Sequence, residues 1–254
     1  MLYTATQVQR TKAVREAISL AKVVLTSNSP IGEITGETGT GKTMACYAII
    51  EELGGVRVCA WEGITRTQLL NEVLRSLWLD PAHSAQKALT DLVKYGRSAR
   101  ERILLIIDEA NKLSWHNLEL LRYLADEGGF ALILVGTELY SKQFINEKTK
   151  PFLLQLGRRI GAKRHKMYNL SEAELAAYVI KPRFNGAAEN AELVKRFWEA
   201  SRKGNWGEAV ELAEECRRLL GVNSISTLTL EVLDLAIAWA ANRHFIHNGN
   251  GRVA

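Results

Sequence analysis

The chain has 254 residues, 47% hydrophobic and 24% charged, with a formal net charge of +5 and a pI near 9.1. This length accommodates one α/β domain with a smaller attachment, and the basic balance permits a polyanionic partner without requiring one. Three cysteines (Cys46, Cys59, Cys216) form neither a CxxC pair nor an even framework, which excludes a disulfide scaffold and reads as buried thiols in a reducing compartment.

No repeat or low-complexity linker interrupts the chain. No apolar stretch reaches a membrane-spanning length, and MLYTATQVQR lacks a signal-peptide core, so no membrane partner and a cytoplasmic location are expected. Residues 6–25 carry a helical apolar rhythm and lead into a first strand, IGEIT, at 31–35. GETGTGKT follows at 36–43 and matches GxxxxGK[ST]. Gly36, Gly39 and Gly41 let the backbone turn tightly and bring its N–H groups against phosphate. Glu37, Thr38, Thr40 and Met44 complete the segment that would cradle the nucleotide, with the helix N-terminus adding its positive dipole end. Lys42 would reach the β- and γ-phosphates of ATP, and the Thr43 hydroxyl would sit on Mg²⁺. A glycine-rich turn before an ordinary helix is the plain alternative, but strand, loop and helix come in the order the motif requires. The helix, expected over 42–53, ends at Gly54-Gly55.

A second strand is expected at 57–61 (RVCAW), and Thr65-Arg66-Thr67-Gln68 reads as a capping box. It opens a helix with Leu69, Leu70, Val73, Leu74 and Leu77 on one face, stopped near Asp80-Pro81. Another amphipathic helix spans 84–95, before the basic loop GRSARER. ILLII (103–107) and FALILV (130–135) are continuous apolar runs, as expected of strands covered on both faces of a parallel sheet. Between them a helix through NLELLRYLAD ends at Gly128-Gly129, and AKRHKMY (162–168) supplies the last strand. Alternating strands and helices predict a three-layer α/β sandwich over residues 1–170. From 171 the period is purely helical, opening with a second capping box at Ser171 and Glu174, and 171–254 reads as a small helical lid with a C-terminal helix.

ILLII runs into Asp108-Glu109. An acid at such a strand end holds Mg²⁺ through water, and a second beside it orients and deprotonates the water that attacks the γ-phosphate. A helix start that merely favours acids is the plain alternative, and Glu62 at the end of the second strand is a rival base. Thr137, after FALILVG, is placed to touch the attacking water or the γ-phosphate, and reads equally as an ordinary helix N-cap. Arg158 and Arg159 precede the last strand, where either could reach a neighbouring subunit as an arginine finger or belong to a solvated basic face.

Together these marks resemble the AAA+ ATPases. The run TRTQLL, IIDEANKL, LLRYLADEGG, LILVGTELY and QLGRRIG is similar, within them, to the MuB- and TnsC-type ATPases that regulate DNA transposition. The resemblance covers roughly residues 5–220. It implies a P-loop sandwich with a helical lid, and an ATPase that assembles into a filament or ring on duplex DNA when ATP is bound. Such assemblies mark target DNA and recruit or stimulate a transposase, at times with a target-selection protein. Two features depart from the pattern. The first strand, expected near residue 31, leaves no room for the helix-turn-helix domain that precedes it in MuB. Gly204-Asn205-Trp206-Gly207 lacks the arginine that many AAA+ lids carry there, and Arg217 or Arg218 would need a different geometry.

A subunit tracking DNA needs basic and hydroxyl groups at phosphate spacing and little base readout. Thr65, Arg66 and Thr67 at a helix start, then Lys87, Lys94 and Arg97, are the candidates, with an ordinary charged surface as the plain alternative. His244 and His247 lack a third ligand for a metal, and Trp61, Trp78, Trp198 and Trp239 are expected in cores or under the lid. A replicative helicase loader and a protein-switching NTPase that ignores DNA are the competing functional classes.

Overall fold

The computed structural model of the chain describes residues 9–137, 147–222 and 227–248. They divide into two compact units, with the boundary between Tyr168 and Asn169.

In the first unit, helix α1 (Lys12–Thr26) starts where the Thr11 side chain accepts the Val14 N–H, six residues later than the apolar rhythm suggests. Strand β1 (Ile31–Gly36) and helix α2 (Lys42–Leu53) flank the glycine-rich loop. Strand β2 (Val56–Cys59) is followed by helices α3 (Arg66–Ser76) and α4 (Ala85–Ser98). Strand β3 (Ile103–Asp108), helix α5 (Trp115–Glu127), strand β4 (Phe130–Gly136), helix α6 (Lys150–Ile160) and strand β5 (Arg164–Met167) complete it. The capping box at Thr65 is formed: its side chain accepts the Gln68 N–H while Gln68 accepts the Thr65 N–H.

The five strands are parallel, in the order β2-β3-β4-β1-β5. Side chains alternate across a strand, so a continuous apolar run needs cover on both faces. Leu104, Ile106, Ile133 and Val135 pack with Val14 and Ile18 of α1 and Ile49 of α2. Leu105, Ile107, Leu132 and Leu134 pack on the other face with Leu69 and Leu74 of α3, Leu92 of α4, and Leu118 and Leu121 of α5. This is the expected three-layer sandwich. Because the strands are parallel, all their C-terminal ends open on one edge of the sheet, where an open α/β sheet receives its ligand.

The second unit is helical. Ser171 and Glu174 form their capping box at helix α7 (Glu172–Leu175), which continues into a π-turn over Ala176–Ile180. Helices α8 (Ala191–Ala200), α9 (Trp206–Val222) and α10 (Leu230–Asn248) follow. Val179, Phe184, Phe197, Leu212, Cys216 and Leu233 form its core.

Several expectations need correction. Strand β2 ends at Cys59, so Trp61 lies beyond it and is exposed. Trp78 is 96% exposed and Trp239 is also exposed, while Trp198 is half-buried with its indole N–H on the Leu170 carbonyl at 2.8 Å. Trp78 terminates α3 with a left-handed backbone (φ 61°), which turns the ring away from the apolar face that Leu74 and Leu77 continue. Cys46 and Cys216 are buried, but Cys59 is exposed.

Candidate nucleotide-binding and hydrolysis site

The loop between β1 and α2 is built so that only glycine fits at its turning points. A Cβ on Gly36 would stand 2.6 Å from the Met167 carbonyl oxygen and 2.8 Å from the Thr40 hydroxyl. Gly41, the residue before α2, has φ +87°, a left-handed conformation that L side chains rarely adopt. The Thr40 hydroxyl donates to the Glu37 carbonyl at 2.8 Å and ties the loop to itself. Glu37 and Thr38 are exposed at its crest, while Gly39, Thr43 and Met44 are half-buried.

Lys42 is only 8% exposed, and its ammonium donates to the carbonyls of Gly36 (3.0 Å) and Glu37 (2.7 Å). Burial lowers its pKa from the usual lysine value, and the charges of Glu109 and Asp108 work against that shift. The Thr43 hydroxyl donates to Asp108 Oδ2 at 2.9 Å, joining the loop to the end of β3. Asp108 is 1% exposed, and its Oδ1 accepts the Glu109 N–H at 2.9 Å. Glu109 has φ 58° and ψ 33°, a left-handed backbone at a residue with a side chain, and its carboxylate lies 3.4 Å from Lys112 Nζ. Thr43 and Asp108 offer hard oxygen donors side by side, a set suited to Mg²⁺. Among the described residues no group of three or more His, Cys, Asp or Glu could hold a metal by itself, so phosphate and water would supply the remaining ligands. The side chains of His244 and His247 lie outside the described residues.

Two neighbours of Asp108 have no signal in the motif. Arg57 of β2 donates to Asp108 Oδ2 from Nη2 (2.7 Å) and Nε (3.1 Å), and its guanidinium carbon lies 5.1 Å from the centre of the Tyr47 ring. Burial alone would lower the Arg57 pKa, but the hydrogen bond and charge of Asp108 outweigh it and the net shift is upward. Asn111, in the short 3₁₀ turn Ala110–Lys112, accepts the Thr137 N–H at 3.1 Å and so ties the ends of β3 and β4 together. The Thr137 hydroxyl is buried and has no hydrogen-bond partner among the described residues, which leaves a polar atom open to a ligand or water. The pairing of β4 between β3 and β1 is what brings Thr137 to this edge.

The structure therefore brings Lys42, Thr43, Asp108 and Glu109 together. Glu62 is exposed in the loop after β2, lining a cavity of about 480 Å³ with Thr65, Arg66, Lys112 and His116. Arg158 and Arg159 lie in the last turn of α6, away from that group. Arg159 pairs with Asp126 (3.2 Å), whereas Arg158 is exposed and makes no ion pair among the described residues. Of the DNA candidates, Thr65 is held in its capping box, Arg66 is exposed and Thr67 half-buried. Lys87 pairs with Asp91, Lys94 is exposed, and Arg97 pairs with Glu127 at 2.8 Å. In the second unit Asn205 caps α9, Arg217 pairs with Glu214, and Arg218 pairs with Glu215 while lying over the Trp239 ring. Both arginines are thus engaged inside their own unit.

The sheet order 2-3-4-1-5, the loop at its open edge and the C-terminal helices define the P-loop NTPase fold. Residues 25–144 match the family described as AAA domain. Among solved structures, the Drosophila ORC bound to DNA is similar at 15% identity and a TM-score of 0.65, over 94% of this chain and 63% of that one. A Walker-type ATPase of Pyrococcus abyssi is similar at 17% identity and a TM-score of 0.64, over 95% of this chain and 74% of that one. The Thermotoga maritima RuvB Holliday junction branch migration motor is similar at 19% identity and a TM-score of 0.57, over 91% and 69%. The chain thus spans between 63% and 74% of the length of these proteins. No curated protein matches it in sequence. Among the described residues no helix is long and apolar enough to cross a membrane.

Proposed function

We propose that this chain is an ATP hydrolase that assembles on duplex DNA in its ATP-bound form and regulates transposition by marking target DNA and recruiting or activating a transposase. The observation that carries the ATPase reading is the contact of Thr43 with Asp108 at 2.9 Å, with Glu109 next in the chain. The loop amides and Lys42 would hold the phosphates, which requires the ammonium to exchange its two carbonyl partners for phosphate oxygens. Thr43 and Asp108 would hold Mg²⁺, which supplies positive charge against the transferring phosphoryl group. Glu109 would orient the attacking water and take its proton, and the open Thr137 hydroxyl would hold that water or the γ-phosphate. Arg158, exposed and without an ion pair among the described residues, is the better of the two candidates for a finger reaching a neighbouring subunit.

DNA as partner is supported by the net charge of +5 and by the likeness to the Drosophila ORC, a protein solved on DNA. The transposition role rests on the sequence run around TRTQLL, IIDEANKL and QLGRRIG. Arg66 and Lys94 are the candidate phosphate contacts with no ion pair among the described residues.

The test pairs hydrolysis with DNA binding. Glu109→Gln should retain ATP and lose hydrolysis by about a hundredfold or more, and its DNA-bound assemblies should persist. Normal turnover would move the base to Glu62. Duplex binding should be ATP-dependent, indifferent to sequence and steeply weakened by salt, with a slope about one unit shallower in Arg66→Ala. No ATP-dependent duplex binding at any salt would remove the transposition reading while leaving the ATPase intact.

A further inference from the structure

The acid at the end of β3 carries its own cation. Asp108 is 1% exposed, and each of its oxygens is engaged: Oδ1 by the Glu109 N–H, Oδ2 by the Thr43 hydroxyl and two guanidinium N–H groups of Arg57. Three of these four donors crowd Oδ2, more than its two lone-pair sites, while Oδ1 takes one. Arg57 comes from the edge strand β2, where Cys59, two residues on, stands opposite Asp108. Tyr47 supports its guanidinium, accepting a hydrogen bond from Nη1 at 3.4 Å and lying beneath it. Tyr47 is four residues after Thr43 on α2, so one helix face carries both the hydroxyl and the support of the arginine.

We propose that Arg57 is a positioning residue that stands in for the metal's charge on Asp108 when no Mg²⁺–nucleotide is present, and thereby sets the Mg²⁺ concentration at which nucleotide is held. This rests on the reading of Asp108 as the metal-side acid. A buried carboxylate without a partner is costly, so the metal-free protein needs a counter-ion there. The same guanidinium then opposes an arriving dication twice, by like charge and by sharing the oxygen that the metal or its water must use. A purely structural clamp would behave differently, because its loss would lower stability without moving the metal dependence.

The experiment measures the affinity of a fluorescent ATP analogue during a MgCl₂ titration, for wild type, Arg57→Gln, Arg57→Lys and Tyr47→Leu. In Arg57→Gln the half-saturating Mg²⁺ concentration should fall on the order of tenfold. Affinity without Mg²⁺ should fall too, since an uncompensated carboxylate repels the phosphates. Arg57→Lys should shift less than Arg57→Gln, because it keeps the charge while losing the paired N–H contacts and the place over Tyr47. Tyr47→Leu keeps the arginine and only loosens it, and should shift the titration about two- to threefold in the same direction. An unchanged or raised half-saturation point in Arg57→Gln overturns the proposal. If that variant does not fold, an unshifted titration in Tyr47→Leu overturns it instead. A wild type whose nucleotide affinity ignores Mg²⁺ would instead overturn the assignment of Asp108 itself.

Discussion

Two carboxylates are buried in the central sheet, and each is held by an arginine from an edge strand. Asp108, at the C-terminal end of β3, takes Arg57 from β2; Glu33, in the middle of β1, takes Arg164 from β5 at 2.9 Å. The residual chemistry differs. Asp108 has both oxygens engaged and a hydroxyl from the glycine-rich loop against it, whereas Glu33 Oε2 is buried without a partner among the described residues. Glu33 lies directly opposite Arg164 in the strand register, three residues before the loop begins. The same kind of ion pair thus sits in two settings: at the C-terminal edge of the sheet beside the glycine-rich loop, and inside the sheet, where it joins two strands.

The widest separation between the two should come from conservative amides. Asp108→Asn should cut ATP hydrolysis at least about a hundredfold, since it removes a metal-side oxygen charge and leaves Arg57 unpaired. Glu33→Gln should leave hydrolysis within about twofold, because nothing near it touches the nucleotide edge. Steady-state turnover of the two variants measures this contrast, and a comparable loss in both would erase it.

Arg164→Ala comes next. Breaking a fully buried pair costs roughly 3–5 kcal/mol, but Arg164 is 43% exposed, so a loss of about 2 kcal/mol is expected. Denaturant unfolding would read that loss, and nucleotide affinity should not change.

A smaller effect concerns pH. Burial raises the Glu33 pKa above the ordinary carboxylate value, and Arg164 only partly offsets it. Its folded pKa thus exceeds its unfolded one, so its contribution to stability is fully present below the unfolded pKa of about 4.5 and is lost as pH rises through the folded value. Wild type should gain stability relative to Glu33→Gln as pH falls from 7 toward 4.5. The difference between the two proteins cancels the opposing titration of His165, whose pKa burial lowers. A flat difference across that range would mean that Glu33 is not desolvated in solution.

The site's outline was legible because its residues lie in short sequence windows. Lys42 and Thr43 follow a fixed glycine spacing, and Asp108-Glu109 ends an apolar run whose both-face burial is visible as ILLII. Arg57 was not legible. Its partner is 51 residues away, and only the pairing of β2 with β3 brings them together. One signal was present, a charged residue inside the short strand RVCAW of a parallel sheet, where a charge needs a partner. Glu33 was hidden the same way within IGEIT. The tryptophans misled in the opposite direction, because size suggested burial while the left-handed turn at Trp78 sends the ring into solvent.

Glu109 carries a backbone conformation that glycine would adopt without penalty. A side chain held at positive φ costs on the order of 1 kcal/mol, and the chain bears that cost at the residue proposed to activate water. Stability and turnover therefore pull this position in opposite directions. Glu109→Gly should melt at a slightly higher temperature than the parent while hydrolysing almost no ATP, so a selection for thermal robustness alone would drift toward an inert protein at this residue.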